Sequence, residues 1–369
     1  MKHRSVTLVL ASLLVFGMAL TSCAAPATPA PAAPAAPAAT TEPAAPAATE
    51  PPASEPAAAA DMTFVLVPKN LGNPYFDTAN NGAQEAAGEL GVTVLYQGPA
   101  SADATQQIQL INSLIAQNVS GLAVAADDSD ALVPTGKEAM DAGIPVVSWD
   151  SAIAPDGRVL HINQAVLHDI GAIQIQMASD LAGPDGGQIA VLSATSTAPN
   201  QNAWIEVMKE VLTQPEYANL ELVDVVYGDD DDTKSYNEAQ ALFKKYPDLK
   251  VIIAPTTVGI AAAARAVTDE DLIGKVAVTG LGTPNQMREY VKNGASPQFA
   301  LWNPADLGYL SIYILDALAN KTITGAPGDT FTAGRLGDYT IEEDPDLGVN
   351  VLLGLPFIYN ADNIDNFDW

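Results

Sequence analysis

TFVLVPKNLGNPYF, residues 63–76, is the stretch on which the reading of the chain turns. Thr63 to Val67 is β-branched and apolar without polar alternation, the pattern of a strand buried on both faces of a parallel sheet. Pro68 interrupts it, and a helical pattern begins after a short loop. In an open α/β sheet, ligands sit just past the carboxyl ends of the strands, which is where Lys69 to Phe76 stand. That loop offers an ammonium, two amides at Asn70 and Asn73, and two rings at Tyr75 and Phe76. Such groups suit a polyhydroxylated small molecule; they equally suit a strand–helix turn whose rings cap the core.

Outward from this stretch, strands and helices alternate. Helices are expected over Asp77–Leu90, Ala102–Gln117 and Asp130–Asp141, and strands over Val92–Tyr96, Gly121–Ala125, Ile144–Trp149 and Val159–Asn163. The rhythm restarts with strands at Gln188–Ser193, Leu220–Tyr227, Val251–Ala254, Val276–Leu281 and Gln298–Trp302. Helices fall between them at Asn200–Leu212, Lys234–Lys245, Gly259–Val267 and Pro284–Lys292, and one more comes after them at Pro304–Leu318. Strands separated by helices of this length imply βαβ units. The fold class expected is α/β, with two doubly wound parallel-sheet lobes facing across a cleft. The tail from Thr330, rich in Gly, Asp and Asn, reads as a hairpin and a last segment packed on the lobes.

The N-terminus has a different character. Lys2 and Arg4 precede an apolar run from Val6 to Leu20 and then Cys23, the single cysteine of the 369 residues. This describes a secretory signal over residues 1–22, with an apolar core too short for a comfortable membrane span. Leu20-Thr21-Ser22-Cys23 resembles a bacterial lipobox, so Cys23 is the expected lipidation site. Residues 23–60, mostly Ala and Pro, cannot bury a core and read as a disordered tether with a reach of about 100 Å. The formal net charge of −28 argues against nucleic acid and anionic membranes as partners.

If the lobes are doubly wound, the cleft is lined by the residues just past each strand: Lys69, Asn73 and Phe76; Asp150 and Ser151; the run Thr195 to Asn202; Pro255, Thr256 and Thr257; Gly282 and Thr283; Trp302 and Asn303. Carboxylates, amides and hydroxyls bond sugar hydroxyls, and rings cover apolar sugar faces. Individually each has a structural alternative, such as helix capping for Asp150 or Asn200 and core packing for Trp302. Their recurrence at strand end after strand end favours a ligand cleft.

The chain resembles the type I periplasmic binding proteins of sugar ABC importers. It is most similar to the rhamnose-binding proteins, whose near relatives bind autoinducer-2. The resemblance runs from about Thr63 to Phe367 and rests on VPKNLGNPYFD (67–77), VVSWDSAIAPDGR (146–158), LSATSTAPNQNAW (192–204), VYGDDDDTKSY (226–236), IIAPTTVG (252–259), VTGLGTPNQM (278–287), FALWNPADLG (299–308), AGRLG (333–337) and PFIYNADNID (356–365). It implies ligand contacts from Lys69, Asn73, Phe76, Asp150, Asn200, Gln201, Pro255, Thr257, Trp302 and Asn303. Lys69, Asp150, Gln201 and Pro255 match the autoinducer-2 binders. Asn200 and Thr257 depart from them, where Asp and Ala are expected, and with Thr256 agree with the rhamnose branch. The resemblance further implies a three-crossover hinge, with crossovers near Asn163, Trp302 and Gly325. It divides the chain into an N-terminal lobe of 61–163 plus 303–325 and a C-terminal lobe of 164–302 plus 326–369.

An enzyme is the main rival class. The histidines are His3, His161 and His168 only, and no phosphate loop or nucleophile elbow is present. Asp229 to Asp232 lacks the Gly and Glu that a calcium loop needs at 234 and 240, and reads as a solvated acidic turn. The expectation is a non-enzymatic, lipid-anchored, extracytoplasmic monomer that needs no cofactor. It would close over a monosaccharide, rhamnose or a similar sugar, and deliver it to an ABC permease. Autoinducer-2 uptake is the alternative ligand reading, and presentation of ligand to a membrane sensor the alternative role.

Overall fold

The computed structural model describes residues 62–369; the signal segment, Cys23 and the tether lie outside the described residues. The chain forms two lobes, each built on its own largely parallel sheet with helices on both faces. The first lobe opens with β1 (Thr63–Val67), whose last four residues are fully buried, as a strand covered on both faces requires. β2 (Thr93–Tyr96), β3 (Gly121–Val124), β4 (Val146–Trp149) and β5 (Leu160–Asn163) join it in parallel, with α1 (Pro74–Leu90), α2 (Ala104–Ala116) and α3 (Val133–Asp141) as crossovers.

After β5 the chain passes into the second lobe with α4 (Leu167–Ala182). There β6 (Gly187–Ser193), β7 (Leu220–Tyr227), β8 (Leu249–Ala254) and β9 (Ala277–Gly280) form a parallel sheet of order β7-β6-β8-β9. The helices of this lobe are α5 (Pro199–Val211), α6 (Asp232–Lys245), α7 (Thr257–Asp269) and α8 (Pro284–Asn293). Next comes β10 (Gln298–Leu301), bridged to the end of β9 through Leu281 and Ala300. The α4 helix escaped the sequence reading. It packs between the second sheet and α5, so apolar residues face two sides and no single stripe stands out.

The chain then returns to the first lobe as α9 (Pro304–Ala319), which lies along α1. A side-chain carbon at Gly308 would stand 1.9 Å from Ala79 O, and one at Gly82 would stand 1.8 Å from Ala305 O. Glycine at both points is what lets the helices approach this closely.

The tail corrects the expected lobe boundary. After the hairpin of β11 (Thr330–Thr332) and β12 (Asp338–Thr340), β13 (Glu342–Asp344) and β14 (Gly348–Leu352) extend the first sheet to the order β13-β14-β5-β4-β3-β1-β2. β14 runs parallel to β5, pairing Val351 with Ile162, and so covers what would otherwise be an open edge. Arg158 anchors it by donating to Leu347 O at 2.5 Å and Val349 O at 3.2 Å. Gly325, the expected third crossover, instead packs on Val159 inside the first lobe. The crossing lies at residues 353–356, and within the tail only the stretch beginning with β15 (Phe357–Asn360), paired antiparallel with β10, belongs to the second lobe.

Candidate functional site

The site grows from the β1–α1 loop. Asn73 caps α1 by accepting from Tyr75 N at 3.0 Å, and Pro74 occupies the first helical turn. An Asn-Pro start therefore begins the helix three residues before the expected Asp77. This early start sets Tyr75 and Phe76 edge-to-face, 5.1 Å apart, on the wall of the cleft. Phe76 also meets Trp149, and Tyr75 meets Trp302, both edge-on.

Asp150, just past β4, holds a left-handed backbone (φ 58°) that an aspartate tolerates better than most residues. Its Oδ1 accepts from the Tyr75 hydroxyl at 2.9 Å, and that hydroxyl accepts from Trp302 Nε1 at 2.8 Å. Indole, phenol and carboxylate thus form one buried chain fixing the direction of Asp150. Burial pushes the Asp150 carboxyl up, while Lys69, 3.7 Å away, and the Tyr75 hydroxyl hold it down. Burial, with Asp150 beside it, raises the Tyr75 hydroxyl well above its ordinary range, so it stays a neutral donor.

The second lobe meets these groups directly. Asn200, at the start of α5, accepts from Lys69 Nζ at 2.9 Å and points its amide nitrogen at Asp150 Oδ2 at 3.3 Å. Gln201 turns its amide oxygen to Ser193 Oγ (2.8 Å) and Ala194 N (2.7 Å), locking the β6–α5 turn. Thr257 Oγ1 reaches Asn73 Oδ1 across the cleft at 3.2 Å. Trp204, one turn along α5 from Gln201, stands 6.0 Å from Trp302 and continues the aromatic wall.

Of the ten residues proposed from sequence, Lys69, Asn73, Phe76, Asp150, Asn200, Gln201, Pro255, Thr257 and Trp302 line one cavity between the lobes. Asn303 does not. Its side chain accepts from Ala305 N at 3.0 Å and caps α9, a role open to any Asn before Pro-Ala at a helix start.

The sequence reading missed Trp204, Leu281, Leu301 and Asp230, and left Tyr75 and Thr256, both of which it had set near the cleft, out of the proposed set. Trp204 was findable as the i+3 neighbour of Gln201 on one helix face. Asp230 lies just past the end of β7, so the strand-end rule pointed to it, but it was absorbed into an acidic turn read as solvated. That reading is corrected: Asp230 is only partly exposed and lines the cavity. Behind Lys69, at the end of β3, Asp127 is buried with no hydrogen-bond partner for either carboxylate oxygen among the described residues. Burial pushes it up to about 8, against the pull of the Lys69 ammonium.

A family model described as a periplasmic binding protein domain matches residues 64–323. A solved ABC transporter solute-binding protein from Clostridium phytofermentas with bound L-rhamnose is 40% identical, with a TM-score of 0.81 over 84% of this chain and 98% of that one. A sugar ABC transporter structure from Actinomyces odontolyticus is 45% identical with a TM-score of 0.66 over the same shares, 84% and 98%. LsrB from Clostridium saccharobutylicum, in complex with AI-2, is 25% identical with a TM-score of 0.79, covering 84% of this chain and all of that one.

Proposed function

The chain belongs to the periplasmic binding protein family, the extracytoplasmic solute-binding components of sugar ABC transporters, and we propose that its own ligand is a neutral deoxyhexose of the L-rhamnose kind. One observation carries the reading: polar side chains from both lobes converge on a single cavity with an aromatic wall, and already bond one another across it. Sugar hydroxyls replace those bonds. Asp150, aimed by Tyr75 and Trp302, accepts from hydroxyls, and Lys69 and Asn73 complete the first-lobe side. Asn200, Gln201 and Thr257 supply the second-lobe side. Phe76, Trp204, Leu281 and Trp302 offer apolar surface to the ring and to a methyl in place of a hydroxymethyl group.

Because the ligand touches both lobes only when they meet, it stabilises the closed form, which the permease then recognises. The family is one of transport proteins, not enzymes. Within the proposal, Cys23 carries the lipid anchor, residues 24–60 form the tether, and the protein works as a monomer.

Autoinducer-2 is the second reading, and it is favoured by the presence of Lys69, Asp150, Gln201 and Pro255 around the cavity. Calorimetry of the purified protein against L-rhamnose, other deoxysugars, pentoses and autoinducer-2 tests the assignment. Tightest binding of L-rhamnose or a close deoxysugar is the expected result; tightest binding of autoinducer-2 overturns it.

A further inference from the structure

Four consecutive aspartates, Asp229 to Asp232, precede or open α6, and three of them have work on their own surface. Asp229 pairs with Lys234 Nζ at 2.5 Å, Asp231 caps α6 by accepting from Lys234 N at 2.7 Å, and Asp232 pairs with Arg265 at 2.8 Å. Asp230 turns the opposite way, into the cleft. It does so through two successive left-handed residues, φ 55° at Asp229 and φ 53° at Asp230. A left-handed backbone is costly for a non-glycine residue, and such strain persists where the surroundings impose it.

Thr256 Oγ1 donates to Asp230 Oδ1, while no donor among the described residues reaches Oδ2. The carboxylate therefore lines the cavity with half its acceptor capacity open. Burial raises the carboxyls of Asp230 and Asp127, and Lys69, paired with Asp150 at 3.7 Å, draws both down through its charge. A partly buried carboxylate short of donors is unfavourable by itself, and bound hydroxyls relieve it.

We propose that Asp230 is the second-lobe carboxylate of the ligand site, accepting from the bound sugar opposite Asp150 and filling the acceptor role that the amide at Asn200 leaves open. This rests on the sugar-binding reading above and adds a specificity-determining residue to it. The two carboxylates would grip hydroxyls on two sides of one ring from different lobes, coupling ligand recognition to closure.

The test compares Asp230→Asn with Asp229→Asn in the purified full-length protein. Asparagine tolerates the left-handed backbone at both positions, so each change removes the charge and turns one acceptor oxygen into a donor without straining the turn. L-Rhamnose and autoinducer-2 are titrated calorimetrically, and Tm is recorded for each protein. For whichever ligand the unchanged protein binds more tightly, Asp230→Asn is expected to lose tenfold or more in affinity with Tm unchanged or higher. Asp229→Asn should stay within about twofold of the unchanged protein. Equal binding by Asp230→Asn and the unchanged protein overturns the assignment of Asp230 and leaves the sugar reading standing. A loss of affinity accompanied by a Tm drop of several degrees assigns Asp230 to the fold and also overturns it. If the unchanged protein binds neither ligand, nor any sugar of the wider panel, the sugar reading falls and the role of Asp230 falls with it.

Discussion

Lys69 Nζ donates to Asn200 Oδ1 at 2.9 Å, joining the end of β1 in one lobe to the start of α5 in the other. Each residue also faces Asp150, so three side chains 50 to 131 positions apart in the chain form one knot. The identity of residue 200 therefore acts on closure and on ligand choice together.

The first prediction concerns that position. Asparagine donates as well as accepts, whereas an ionised aspartate only accepts. The double change Asn200→Asp with Thr257→Ala places a second carboxylate beside Asp150 and removes the hydroxyl that bonds Asn73. L-Rhamnose affinity should fall tenfold or more and autoinducer-2 affinity should rise. Titration of both ligands against both proteins checks this, and an unchanged preference would show that specificity is set elsewhere.

Asp150→Asn should also lose at least tenfold in sugar affinity. Hydrogen bonds to charged groups contribute about 1.5–3 kcal/mol, and tenfold corresponds to about 1.4 kcal/mol. Asparagine is the informative replacement because the backbone at position 150 has φ 58°, where alanine would add strain. Near-identical dissociation constants for the two proteins, both folded, would move the site away from the end of β4.

Asp127 ties stability to pH. Unfolded, it titrates near ~4; folded, burial pushes it up to about 8. Between those values the folded chain holds a proton that the unfolded chain has released, so stability falls as pH rises through that window and levels off above it. Asp127→Asn is neutral throughout and removes this contribution. The variant's Tm relative to the unchanged protein should therefore climb from pH 5 to pH 8.5. A Tm difference constant across that range would contradict a carboxyl held protonated by burial.

If Cys23 carries the proposed lipid anchor, Cys23→Ser should release the protein from the membrane fraction while leaving sugar binding intact. Fractionation after signal cleavage reads the outcome directly, and retention of the variant in the membrane would end the lipoprotein assignment.

Much of this protein is legible in one dimension. An apolar run such as Thr63–Val67 declares a buried parallel strand, and a parallel sheet brings the carboxyl ends of its strands to one edge. Those two facts bring Lys69, Asp150, Asn200 and Thr257 toward a common cleft before any coordinates are known. Other features depended on partners far away in the chain. Whether residues 348–352 joined the first or second lobe turned on which strand edge stood open, and β5 offered its edge together with Arg158. Asn303 and Asn200 are the same residue type at similar strand–helix turns, yet one caps its helix and the other faces Lys69. Asp230 is one aspartate among four in a row, and the left-handed turn it forms with Asp229 is what brings it to the cavity. Sequence periodicity reports which faces are buried; it carries no information on which buried face meets which, because that is set by long-range packing that only the folded chain creates.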